Sequence, residues 1–139
     1  MHFTGRPHLH GIAIMFPPLV IIRTSVALVW LYEGLWCKIL GRVPSQVEVV
    51  KAVPRFGPRL GAPLLKAIGF FEVALAVWVM TGISPGVCAI VESAFLIVLN
   101  ANGLMWARKI IHEPAGMVVK NISFLILVWV CGAFPGARL

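Results

Sequence analysis

The sequence predicts an all-α fold: an integral membrane four-helix bundle with a short interfacial helix between the first and second spans. Three observations carry that expectation. Hydrophobic residues make up 60% of the 139-residue chain and charged residues 12%, which is more apolar surface than one small core can hide. Four segments approach the roughly 20 apolar residues needed to cross a hydrocarbon layer about 30 Å thick. The basic residues fall between those segments and not along a stripe with interleaved stacking aromatics. The formal charge of +7 is therefore a matter of membrane topology, and nucleic acid is not expected as a partner.

The first span is expected over residues 19–40, after Pro17 and Pro18, which sit where proline is tolerated at a helix start. The apolar stretch is too long for a signal peptide and has no small-residue cleavage site, so it reads as a retained span. Residues 41–61 follow, and within them Ser45-Gln46-Val47-Glu48 matches a capping box, in which a hydroxyl and a carboxylate satisfy the exposed N–H groups of a helix start. A helix over 46–53 should run from it to Pro54, with Val47, Val50 and Val53 turned one way, lying along the membrane surface. The second and third spans, 62–81 and 86–106, are joined by Thr81-Gly82-Ile83-Ser84-Pro85-Gly86, turn chemistry that implies an antiparallel hairpin. The fourth span covers 117–134.

Orientation follows from charge. Lys38, Arg42, Lys51, Arg55, Arg59, Lys66, Arg108, Lys109 and Lys120 lie at one end of the spans, against Arg6, Arg23 and Arg138 at the other. Loops left in the cytoplasm are enriched in Lys and Arg, which places both termini on the non-cytoplasmic side of the cell membrane.

Three spans carry a glutamate: Glu33, Glu72 and Glu92. An ionisable group near the bilayer centre costs about 2.5 to 3.5 kcal/mol on insertion scales, so it turns towards other helices and takes a partner. Glu72 shares a stripe with Gly69 and Ala76, and Glu92 shares one with Ala89, Ser93, Asn100 and Gly103. Small residues at helical spacing let backbones approach, so both carboxyls should point inwards. At a rise of about 1.5 Å per residue, Arg23 and Glu92 fall about 6 to 9 Å below the outer edge, and Glu33, Lys66, Asn100 and Asn121 about 20 Å below it. Arg23 with Glu92 and Lys66 with Glu33 are therefore candidate structural ion pairs. Glu72, with no cation at its depth, is the foremost candidate for function, followed by Glu33, Glu92, Asn100 and Asn121. Lys38 and Lys66, near span ends, are expected to reach out to the headgroups. Polar ties that merely fix helix register are the plain alternative for all of these residues.

His2, His8, His10 and His112 all lie outside the expected spans, which disfavours an axially ligated haem. No metal site is expected, His8-x-His10 reading as a tail and His112-Glu113 as a solvated turn. Cys37, Cys88 and Cys131 form no C-x-x-C pair and read as small buried residues. Cys88 and Cys131 would share the outer face, where geometry alone decides whether they pair.

Trp30-Leu31-Tyr32-Glu33-Gly34-Leu35-Trp36-Cys37-Lys38, Ile68-Gly69-Phe70-Phe71-Glu72, and Glu113-Pro114 followed by Lys120-Asn121 stand in the order and spacing of one family. The chain resembles the DoxX-like membrane proteins from about Val29 onward, with Trp30, Gly34, Lys38, Glu72, Pro114 and Asn121 as the motif matches. The resemblance implies a four-helix membrane fold and an association with quinone-linked redox chemistry, and it brings no agreed catalytic set. The leading expectation is an accessory component of a membrane redox system, with quinone as the cofactor to test and a groove lined by Trp30, Tyr32, Trp36 and Glu72 as its seat. Two alternatives stand beside it. One is a non-catalytic subunit packed against other membrane protein subunits; the other is a proton or small-solute transporter working through the glutamates. Lipid is a partner under all three.

Overall fold

The computed structural model describes residues 18–55 and 57–134, and all regular structure within them is helical. The first span begins as α1, Leu19–Leu31, and continues without a break as a π-helical segment, Tyr32–Ile39. Helix α2 covers Pro44–Lys51, α3 Gly57–Thr81, α4 Pro85–Trp106 and α5 Pro114–Ala133. Leu19–Ile39 is 21 residues long, and α3, α4 and α5 are 25, 22 and 20 residues long, each sufficient to cross a membrane. Bulky apolar side chains such as Phe70, Val77, Ile90, Val98, Ile126 and Trp129 face outwards along these helices. In water they would be a liability, and in lipid they are the required exterior. The chain is a multi-pass membrane protein.

Helix α3 starts upstream of the expected 62, because Pro58 falls in the first turn, where its missing N–H costs nothing, and Pro63 is accommodated in the interior. Helix α5 starts at Pro114 for the same reason, ahead of the expected 117. The capping box does not form. Proline at the first position of α2 draws the start back to Pro44, Val43 becomes the N-cap, and no side chain caps the helix. Glu48 instead pairs with Lys51 at 3.2 Å.

The tight turn after α3 uses left-handed backbone at Gly82 and Ser84. Helix α3 then packs mainly on the first span, and α4 mainly on α5. The two layers meet in a core containing Val26, Trp30, Leu75, Ala76, Val79, Ala89 and Val128. Although α3 and α4 are consecutive, they touch much less, and α2 lies across the end of the gap between them. That gap holds the candidate site.

Candidate functional site

The first span and α3 approach closely at Gly34 and Gly69. A Cβ on Gly34 would stand 2.6 Å from the Gly69 carbonyl oxygen, and one on Gly69 would stand 2.8 Å from the Gly34 oxygen and 2.9 Å from Lys38 Cβ. Only glycine fits on either side. The crossing fixes the π-helical segment on α3 so that Lys38, one turn past Gly34, meets Glu72, one turn past Gly69.

Lys38 Nζ stands 2.9 Å from Glu72 Oε2, an ionic contact whose angle falls outside hydrogen-bonding geometry. The same nitrogen donates to Glu33 Oε2 at 3.2 Å and to the Glu33 carbonyl oxygen at 3.4 Å. Glu33 and Lys38 are five residues apart, which in an α-helix would set them about 140° apart around the axis. The i→i+5 hydrogen bonding of a π-helix stacks them instead. Gln46 of α2 donates from Nε2 to Glu33 Oε2 at 3.1 Å, while its Oε1 has no partner.

This cluster lines part of a partly open cavity of about 1050 Å³. Trp30, Phe95 and Phe124 close it towards the bundle core, Phe95 and Phe124 lying 6.0 and 5.4 Å from Trp30 between ring centroids. Along α4 and α5 the wall carries Asn121 Nδ2 donating to Asn100 Oδ1 at 2.6 Å, and Asn100 Nδ2 donating to the Leu96 carbonyl at 2.7 Å. His112, Glu113 and Lys120 line it at the connection between those helices. His112 and Glu113, expected as a plain solvated turn, are exposed and also border the cavity.

On the other side of Trp30 is a second polar level. The Trp30 indole N–H donates to Glu92 Oε1 at 2.5 Å, and the Cys88 thiol approaches Glu92 Oε2 at 3.8 Å. Arg23 is 5% exposed and lies against Gly82, whose left-handed turn leaves room for the guanidinium. Its Nε and Nη2 have no hydrogen-bond partner. Arg23, Cys88, Glu92 and Cys131 border a pocket of only about 10 Å³, close to the space of one water molecule. Cys37, Cys88 and Cys131 are all free thiols.

Several expectations change here. Arg23 and Glu92 share a level but form no ion pair, because Trp30 and Cys88 occupy the carboxylate. Lys66 is exposed on α3 and does not pair with Glu33, whose cation is Lys38. Lys38 does not reach for the headgroups; it is buried between two carboxylates. Glu72, at 2% exposure, therefore has the cation it was expected to lack. Of the proposed aromatic groove, Trp30 and Glu72 line the cavity, while Tyr32 and Trp36 are 56% and 47% exposed on the outside. Residues two apart on a helix do not share a face, so Trp30 and Tyr32 diverge. Trp36 instead lies under the Arg42 guanidinium, 5.5 Å from its ring centre. Nothing in the sequence marks Gln46, Phe95 or Phe124 for a place in the cavity wall. Gln46 stands inside the expected capping box, and the two phenylalanines are ordinary apolar residues of their spans.

No three His, Cys, Asp or Glu side chains are grouped to hold a metal ion among the described residues, and His2, His8 and His10 lie outside them. No curated protein and no solved structure matches the chain. A model of the DoxX-like family matches residues 27–129, from the middle of α1 to near the end of α5, and so takes in the Glu33–Lys38–Glu72 cluster, Glu92 and the Gly34–Gly69 crossing. The chain belongs to the DoxX-like family.

Proposed function

We propose that this protein is an accessory component of a quinone-linked membrane redox system, and that its inner cavity receives the ring of a membrane quinone. The observation that carries the reading is the cavity of about 1050 Å³, apolar along α2 and α3 and lined in part by the Glu33–Lys38–Glu72 cluster. Ligand sites of this kind are mostly apolar, with a few convergent polar groups that fix orientation. Trp30, Phe95 and Phe124 supply flat surfaces against which a ring can lie. The apolar wall suits the tail of a molecule that arrives from the bilayer.

The reading assigns the redox partner to another membrane protein. Under the same reading the α2 end of the bundle, which carries most of the Lys and Arg, faces the cytoplasm, with both termini on the opposite side. The test is purification in a mild detergent with lipid extraction of the same sample. Co-purifying quinone, or a redox protein retained at native mass, is the expected result. Absence of both overturns the proposal.

A further inference from the structure

We infer that the inner cavity binds the reduced, hydroquinone form of its ligand in preference to the quinone; this rests on the cavity being a quinone site, as proposed above. The two forms differ at the polar end. A quinone presents carbonyl oxygens, which only accept hydrogen bonds, whereas a hydroquinone presents two O–H groups that donate.

The cluster end of the cavity is rich in acceptors. Lys38, its cation, donates to Glu33 Oε2 and to the Glu33 carbonyl, and its Nζ stands 2.9 Å from Glu72 Oε2 without donating to it. Two carboxyl groups stand against one ammonium in this cluster. Gln46 adds a buried Oε1 with no partner. Glu72 Oε2, contacted by Lys38 off the hydrogen-bonding direction, also has lone pairs to spare. A carbonyl oxygen brought here would face acceptors, while a hydroxyl would satisfy an orphaned acceptor. Buried acceptors without partners are destabilising, so the donor-bearing form is favoured. The local balance of acidic and basic residues is unusual for this molecule: the chain carries +7 overall, yet the cavity lining holds Glu33, Glu72 and Glu113 against Lys38 and Lys120.

The test compares a decyl-substituted benzoquinone with its hydroquinone, under anaerobic conditions, by retention on nanodiscs containing the full chain over empty nanodiscs. The hydroquinone is expected to bind about tenfold more tightly, corresponding to about 1.4 kcal/mol. Glu72→Gln, which replaces an acceptor oxygen with a donor, should narrow that ratio. Gln46→Leu, on the less buried α2, should narrow it too and serves if Glu72→Gln does not fold. Equal or tighter binding of the quinone overturns the preference while leaving the cavity a quinone site. A ratio unmoved in the folded variants overturns the acceptor argument. Retention of neither form overturns both the preference and the quinone reading beneath it.

Discussion

Lys38 stands near the end of the first span, where a lysine ordinarily extends to the headgroups, yet 9% of its side chain is exposed. Its burial is tolerable because Glu72 and Glu33 lie within 2.9 and 3.2 Å. Removing one member of a buried ionic group leaves the others uncompensated and costs about 3 to 5 kcal/mol. Lys38→Met should therefore lower thermal stability in detergent strongly, and Glu72→Gln on its own should do so less, since it leaves Lys38 with Glu33. If the two groups are coupled, the double substitution should destabilise less than the sum of the singles, by about 0.5 to 3 kcal/mol. Strict additivity would show that the 2.9 Å contact contributes nothing. The burial of Glu72 is legible in the sequence through its stripe with Gly69 and Ala76. Its pairing with Lys38 is not, because a stripe on one helix does not say which side chain of a neighbouring helix turns to meet it, and that depends on how the first span is rotated about its axis.

That rotation is set by an element the sequence does not announce. Tyr32–Ile39 is π-helical, and hydrophobic periodicity at 3.6 residues cannot distinguish it from the α-helix expected over 19–40. The family motif positions Trp30, Gly34 and Lys38 fall four residues apart and are all buried. Glu33 joins that face only through the i+5 stacking. A π-helix carries the equivalent of an extra residue in an α-helix, and such insertions occur frequently at functional sites. Deleting Leu35, whose side chain is 41% exposed, should allow local return to α geometry. Glu33 and Lys38 would then be separated by four positions, still on one face, and the connection ahead of α2 would absorb the shift. Deleting Val29, 41% exposed in regular α1, offers no such relief. It turns Arg23 and Val26 about 100° away from the core. The Leu35 deletion should therefore retain the higher unfolding temperature of the two, and the reverse order would mean that the π segment has no register to give up.

At the scale of the whole molecule, the four spans and the family are legible because each rests on a pattern longer than a single contact: apolar length, proline and glycine punctuation, or motif order. The cavity is not legible, since it arises from how little α3 and α4 touch, a property of packing between layers and not of any one segment. Orientation rests on charge placement alone. Among the described residues, Lys51, Arg55, Arg59, Lys66, Arg108 and Lys109 are exposed at the α2 end, whereas Arg23, the basic residue of the opposite half, is buried. A buried arginine held against Gly82 is part of the packing and carries little weight in a rule about loops. Leaving it out of the count sharpens the asymmetry on which a cytoplasmic α2 is proposed. Single cysteines test it: Ser45→Cys on exposed α2 and Ile83→Cys in the turn at the other end, where Ile83 is 62% exposed. The native cysteines are buried, which keeps the background of labelling low. A membrane-impermeant maleimide applied to intact spheroplasts should modify Ile83→Cys and spare Ser45→Cys until the membrane is opened. The opposite pattern would invert the orientation and put the side of the cavity lined by His112, Glu113 and Lys120 at the outer face.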